Sequence, residues 1–374
     1  MMECVSRFNA PYNLTKKELY EKVLSEVKDN KTELINSTLY KAYMENLKKA
    51  VEGVLQSGQY GSEYFNMQQQ FEANVSRFSA YKAHRVTKLL QEHDDPKTQK
   101  AILNTFNRYQ AAEYNAAIGR ARTAKQWNDF TNDPIRNELY PNLKWLPSDS
   151  ITPREEHRIF WNKVWAKNDP FWRLNMPRTL WGCNCDIEDT DEPITGGKYD
   201  NIPSSAGLEG NPAKTGEIFT DNASYYRVEN SQKSKVEKEY KKKSRNEWRP
   251  RLSEFYKKTA NVEIENKPVK IKFDKYGLQH YLHDLFGDDY VLKNNLITYL
   301  DKVIEGGTLV AHEKNTMFGS KDTNKYKKNI TEFFYFEVSL PNKKRAFITI
   351  SKFNESNYRL YAISKTLRKT AELY

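Results

Sequence analysis

The sequence predicts a multidomain protein: a mainly α N-terminal part with a small irregular α+β cap, then an α+β C-terminal domain of helices followed by a four-stranded antiparallel sheet. Three observations lead there. Apolar residues recur at helical spacing from about residue 14 to 130, segments punctuated by Pro, Gly, Asp and Trp fill 134 to 228, and strand-like patterns begin near Val269. A chain of 374 residues is long enough for two cores of ordinary size. Its 38% hydrophobic fraction and mean hydropathy of −0.87 suit long solvated helices better than one large core.

Each element has its own signal. Thr15 can cap a helix whose Leu19, Val23, Leu24 and Val27 share a face. A second helix starts near Thr38, with Leu39, Tyr43, Leu47, Val51 and Leu55 stepping by four, and stops near Gly58. A third runs from about Gly61 to Glu92, and a fourth from about Pro96 to Phe130 ends at Asn132-Asp133-Pro134. Over 134–228 only 154–167 has a helical pattern. Nine acidic residues against two lysines between Trp181 and Asp221 mark an acidic cap of loops and short strands. Residues 229–260 form a basic hinge, partly helical and broken at Pro250. Beyond it, Val269–Phe273 reads as a strand, and Tyr276–Phe286 and Asp289–Glu305 as helices. Thr308–Glu313, Glu332–Leu340, Arg345–Ser351 and Tyr358–Lys365 read as the four strands of the sheet. The domains expected are therefore 1–228 and 261–374, joined by the hinge 229–260.

The net charge of +11 is unevenly placed. Residues 1–230 carry 30 Lys+Arg against 31 Asp+Glu, 231–260 carry 11 against 4, and 261–374 carry 19 against 14. This layout points to a polyanion partner for the C-terminal half, the alternative being a solvated basic helix with no partner. No apolar run approaches ~18 residues, and the first residues lack the apolar core of a signal peptide, so no membrane partner is expected. Three cysteines, one of them Cys4, make no disulfide framework, which favours a reducing compartment.

The stretch Tyr140–Cys185 concentrates unusual chemistry, with five of the seven tryptophans, two of the three cysteines and His157. Thiolates and imidazole are natural zinc ligands, so His157, Cys183 and Cys185 form a candidate structural zinc site, with Asp169 or Asp186 available as a fourth ligand. The spacing is not that of a zinc finger, and a Cys183–Cys185 disulfide would close a small strained ring. The alternative is that both cysteines are small buried apolar groups and His157 bonds to backbone. The same stretch resembles the signature of the phage head morphogenesis family typified by the F-type minor head protein of phage Mu. Arg154 to His157, Asp169-Pro170-Phe171-Trp172, Pro177 through Trp181-Gly182-Cys183-Asn184-Cys185, and Gly210-Asn211-Pro212 with Phe219 carry the likeness, which covers about 38–225. It implies a low-copy virion component inside the capsid near the portal, with the portal, other capsid proteins and packaged DNA as partners. Asn184 stands where that family often has Arg, a departure that touches the surface more than ligation.

In the C-terminal domain, Leu278, Leu282 and Leu285 make an apolar helical stripe, and His280 and His283 lie together on the opposite face. Two surface histidines on a basic domain suit acid–base work on a phosphodiester, the alternative being two solvated side chains. Alternation in the last strand puts Arg359, Tyr361, Ile363 and Lys365 on one face. Arg359 could hold a phosphate, Tyr361 could stack or donate, and Glu337, alternating against Phe334, Phe336 and Val338, could act as base. A cross-strand ion pair is the alternative for Glu337 and Arg359. Lys325, Lys327, Lys328 and Lys365 are the candidate RNA-backbone contacts. Residues 265–374, with the His-bearing helix and the ending Asn357–Lys365, resemble the phage members of the barnase–EndoU–colicin–RelE nuclease superfamily. That resemblance implies a metal-independent endoribonuclease, acting on host RNA in the host cytoplasm, without a cofactor and with an immunity or inhibitor protein in the producing cell. The competing expectation is a non-enzymatic portal-associated protein whose basic C-terminal domain contacts packaged DNA. No phosphate-binding glycine loop, His-Glu-X-X-His or Gly-X-Ser-X-Gly motif suggests other chemistry.

Overall fold

The computed structural model describes residues 17–56, 58–198, 202–316, 329–353 and 357–374. Thr15, Lys325, Lys327 and Lys328 lie outside the described residues. The chain divides into two units, Met1–Tyr240 and Lys241–Tyr374.

Helices open the first unit: α1 (Lys17–Asp29), α2 (Ser37–Leu55), α3 (Glu63–Glu92), α4 (Pro96–Thr131) and α5 (Pro134–Leu139). Side chains with an oxygen acceptor start four of them: Asn36, Ser62, Asp95 and Asp133 each take a backbone N–H of the first turn. Proline follows Asp95 and Asp133 at the first helical position, where its missing N–H leaves no bond unmade. Helices α2, α3 and α4 pack on one another, burying Tyr43, Phe71, Phe78 and Tyr81. After α5 comes a three-stranded antiparallel sheet of order β2-β1-β3, from β1 (Asn142–Leu146), β2 (Val164–Ala166) and β3 (Asp186–Thr190). Residues 154–167, expected as a helix, are instead a 3-10 segment Glu155–Phe160 followed by β2, since Trp145 and Trp165 must both reach the aromatic core. Two short helices, α6 (Phe171–Leu174) and α7 (Pro212–Thr215), complete the irregular region. Buried Arg120 of α4 ties it down by donating to the carbonyls of Leu208 (2.6 Å) and Glu209 (3.1 Å). The basic hinge is a helix, α8 (Asn230–Trp248), running into a 3-10 segment Arg249–Phe255, and the division between units falls within α8.

The second unit is α+β, and its sheet is larger than expected. The four expected strands are present as β6 (Thr308–Lys314), β7 (Glu332–Ser339), β8 (Arg345–Lys352) and β9 (Tyr358–Ser364), but the sheet has seven strands in the order β10-β6-β7-β8-β9-β5-β4. It is mixed rather than purely antiparallel. The hairpin β4 (Thr259–Ile264) and β5 (Lys267–Lys272) joins through a parallel pairing of β5 with β9, and β10 (Glu372–Leu373) pairs with β6. Glu265 and Asn266, both with φ near +55° (52° and 60°), make the tight hairpin turn that matches strand twist. Between β5 and β6 lie α9 (Lys275–His283), α10 (Tyr290–Asn295), a 3-10 segment Leu296–Tyr299 and α11 (Leu300–Glu305). Helix α9 packs on β9, and α11 on β4 and β7. The expected stripe on α9 is corrected: Leu278 and Leu282 are buried, but the helix stops at His283, Leu285 is 87% exposed, and Tyr281 takes the third core position. Among the described residues no helix is long and apolar enough to cross a membrane.

Candidate metal centre and candidate catalytic face

The first site grows out of the aromatic core of the three-stranded sheet. Trp145, Trp165 and Trp172 are fully buried, with Trp165 stacked on Phe171 at 3.8 Å. Such rings exclude water and fix the backbone around them. His157 hangs from the 3-10 segment with its ring edge-on to Trp145 at 5.2 Å. Arg154 donates from Nε to the Trp181 carbonyl at 2.7 Å, and Arg178 from Nη1 to the Cys183 carbonyl at 2.7 Å, so two guanidinium groups clamp the loop that carries the cysteines. Gly182 takes φ +75°, a conformation that favours glycine, and lets the chain turn between Trp181 and Cys183.

The result is a triangle of ligand-type atoms. His157 Nδ1 lies 3.2 Å from Cys183 Sγ, and one donor atom each from His157, Cys183 and Cys185 falls within 4.8 Å of the others. All three residues are buried and both cysteines are free thiols. The Cys185 thiol beside it, and then His157, pull the Cys183 titration down to about 4, while its bond to Cys183 and burial push Cys185 well up. The opposite shifts of the two thiols favour negative charge on Cys183, and a bound cation would take that charge. The indole nitrogens of Trp145 and Trp161 are buried without a hydrogen-bond partner, and both favour negative charge on the Cys185 sulfur. Unpartnered N–H donors beside a sulfur are the kind of outer-shell support a thiolate metal site uses. The donor set therefore fits a cation such as zinc. Asp169 and Asp186 are not part of the group: Asp169 Oδ1 accepts the Phe171 N–H at 2.8 Å, and Asp186 Oδ1 accepts that of Ile187 at 2.9 Å.

The second site lies on the C-terminal sheet where α9 meets β9. Asp274 caps α9 by accepting the Gly277 N–H at 2.8 Å, and Asp284, just past its end, accepts the Ile363 N–H at 2.9 Å. These bonds seat the helix along β9, and His280 faces the sheet's open surface. Its Nε2 is 3.1 Å from the Tyr276 hydroxyl, its ring stacks on Tyr361 at 5.4 Å, and its Nδ1 is 3.9 Å from Asp284. Burial raises the Asp284 carboxyl and the Tyr361 phenol above their ordinary values. His283, one turn away, has its titration lowered by burial and then by Arg245 and Arg249, and Arg249 Nη2 donates to its Nε2 at 3.3 Å. Beneath them Lys293 is buried among Tyr281, Tyr290 and Phe286, bonded to the Tyr281 and Asp284 carbonyls, and burial lowers it to about 7.

The structure brings together His280 and Tyr361, sets His283 one turn away against Arg249, and holds the other expected residues elsewhere. Glu337 lies within 3.7 Å of Arg345, and Arg359 donates to Asp274 at 3.0 Å with its guanidinium over Phe353. Both are therefore in ion pairs, though not with each other. Lys365 is bonded to Asp289 at 3.1 Å beside Lys344. The expected alternation along β9 also fails, for a reason in the register. Thr349 pairs with Ala362 but Ile350 with Leu360, so Tyr361 sits in a bulge and the alternation inverts after it. Tyr361 and Ala362 both join the cluster of Phe333 and Tyr335, whereas Ile363, paired with Ile348, turns to the other face. Tyr276, Asp284 and Arg368 were not singled out from sequence. Arg368 places its guanidinium 5.5 Å from the Phe333 ring, and its charge reaches Tyr335 and Tyr361. Comparison with known proteins found no matching family model, no matching curated protein and no matching solved structure.

Proposed function

We propose that this chain is a phage or prophage minor head protein whose C-terminal unit is a metal-independent endoribonuclease. The observation that carries the enzymatic half is the order Tyr276–His280–Asp284 with Tyr361 stacked on the imidazole. A titratable ring between a hydroxyl and a partly buried carboxylate, half exposed on an open sheet face, is positioned to move protons. In the proposed reaction His280 takes the proton of a ribose 2′-hydroxyl, whose oxygen forms the bond to phosphorus as the P–O5′ bond breaks. A protonated group on the same face, with Tyr276 and Tyr361 as nearest phenols, returns a proton to the leaving 5′-oxygen, giving a 2′,3′-cyclic phosphate and a 5′-hydroxyl. Arg368 replaces Arg359 as the cation for the phosphorane, because its contact with Glu313 is the looser one, 3.8 Å against 3.0 Å for Arg359 with Asp274, and its charge reaches Tyr361. The basic balance of 19 to 14 over residues 261–374 favours an RNA substrate.

The head-protein half rests on the Arg154-to-Cys185 signature and on the way its members fold together, Arg154 on Trp181 and His157 on Cys183. Zinc held by His157, Cys183 and Cys185 would fix that loop as a structural ion. Portal and capsid proteins, packaged DNA and, in the producing cell, an inhibitor of the nuclease are the partners this reading requires. The ion pairs on Glu337 and Arg359 favour a second reading, a DNA-contacting structural unit without catalysis. Incubation of the full chain with structured RNA, with and without EDTA, separates the two. Cyclic-phosphate ends that fall at least about a hundredfold with His280→Ala and Arg368→Ala, but not with Glu337→Gln, support the enzyme. Intact RNA with salt-dependent DNA binding supports the structural unit.

A further inference from the structure

A cleft of about 880 Å³ opens in the first unit, walled by Phe106, Tyr109, Trp181 and Tyr225, with Arg85 and Arg227 on its lining. Its volume lies in the range of ligand sites, and it is lined chiefly by rings, as such sites are. Both sides are held in place. Tyr225 donates to Glu113 at 2.7 Å, and the other oxygen of Glu113 takes Lys82 at 2.5 Å, a pair with both side chains almost fully buried. On the far side the Trp181 N–H donates to Ser205 Oγ at 3.1 Å, and the Trp181 carbonyl takes Arg154.

Lys82 and Glu113 neutralise each other, which leaves Arg85 and Arg227 as the net charge of the cleft. Both are exposed, and neither guanidinium has a hydrogen-bond or ion-pair partner among the described residues. A second cavity of about 280 Å³ is lined by the same Arg85, Tyr225 and Arg227 and adds Lys88 and Glu229, which pair with each other at 3.8 Å. The two share these three residues, so they adjoin as one groove, with the aromatic side chains on one part and Arg85 and Arg227 between the two. Tyr109 is 51% exposed at its edge, an aromatic surface without a cover.

We propose that this groove binds an acidic segment of a partner protein, with an aromatic or large aliphatic side chain in the aromatic stretch and flanking carboxylates on Arg85 and Arg227. Guanidinium forks and carboxylates are matched in geometry, and an anchored ring supplies most of the affinity in such modes. The surroundings select a peptide over nucleic acid. Residues 1–230 are balanced at 30 basic to 31 acidic, and Trp181 to Asp221, which supplies Trp181 and Ser205, holds nine acidic residues and two lysines. A long phosphate backbone would find no further net positive charge beyond the two arginines, whereas a short acidic segment needs only those two.

The test is selection of a random peptide display library on the full chain. Enriched segments should carry Phe, Tyr, Trp, Leu or Met beside Asp or Glu. The enriched peptide, made synthetically, should bind at least about tenfold more weakly to Arg85→Gln/Arg227→Gln, and more weakly as salt is raised. Tyr109→Ala, at an exposed position that leaves the core intact, should weaken it as well. No enrichment, a consensus without acidic residues, equal affinity for the double variant, or binding of oligothymidylate in preference to the peptide each overturns the proposal.

Discussion

His283 and His280 are three residues apart on one short helix, yet their surroundings give them different tasks. His280 has a hydroxyl and a carboxylate within reach, while His283 faces Arg249 and feels the charges of Arg245 and Lys293. Burial first, and then these cations, lower the His283 titration below 6.5. A histidine so shifted binds fewer protons folded than unfolded, so it takes stability away as pH falls through 6.5 and contributes nothing above that. Removing one cation, as in Arg249→Ala, should move the His283 imidazole upward in an NMR titration of the full chain, but only part of the way, because burial is the larger cause. A titration that stays put or moves down would show that Arg249 does not bear on the ring. At this scale residue type and spacing pick out candidates for chemistry but not their partners. The interest of His157, Cys183, His280 and Tyr361 follows from residue type and spacing. That Arg359 is committed to Asp274 does not, because the two are 85 positions apart and no local pattern couples them.

At the scale of elements, what makes the candidate catalytic face is the seating of α9 on β9. Gly277 is the point of closest approach: a Cβ there would lie 2.0 Å from the Leu360 carbonyl oxygen and 2.8 Å from its carbon. Backbone cannot give way as a side-chain tip can, so Gly277→Ala must lift the helix. The cost should be about 1–3 kcal/mol or more, as for other overpacked sites. Denaturant unfolding of the variant against the parent measures it, and an unchanged midpoint would mean that helix and strand are not in contact. The four strands β6 to β9 were legible because Phe333 to Val338 and Arg345 to Ser351 alternate or run apolar between turns. The bulge at Tyr361 was not, since alternation in one strand cannot reveal an extra residue relative to its neighbour. The β4–β5 hairpin was half hidden for another reason. It lies at the sheet edge, its exposed positions are Lys, Glu, Asn and Pro, and a solvated edge strand that begins where the basic hinge ends leaves little apolar pattern to read.

Over the whole molecule, the two units place their stability in different hands. The second has an extended sheet core with buried Phe334, Phe336, Ile348, Ile350 and Leu360. The irregular part of the first has short strands and loops, and its order depends on a few aromatic stacks, two arginine clamps and the His157–Cys183–Cys185 triangle. A cation bound there stabilises the first unit alone, by about 4 kcal/mol when free zinc is about a thousandfold above its dissociation constant. The chain carries a built-in way to see this, because six of its seven tryptophans lie within residues 1–240 and only Trp248 lies beyond. Tryptophan emission therefore reports the first unit, and circular dichroism reports both. The purified full chain should hold about one zinc, lost with Cys183→Ser or Cys185→Ser. Chelation should lower the emission-detected melting temperature and leave a later transition visible only by circular dichroism. Two transitions that shift together on chelation would mean that the units do not unfold separately. An emission-detected transition indifferent to both chelator and Cys183→Ser would return the cysteines to the role of small buried apolar groups, held by Trp145 and His157 without a metal.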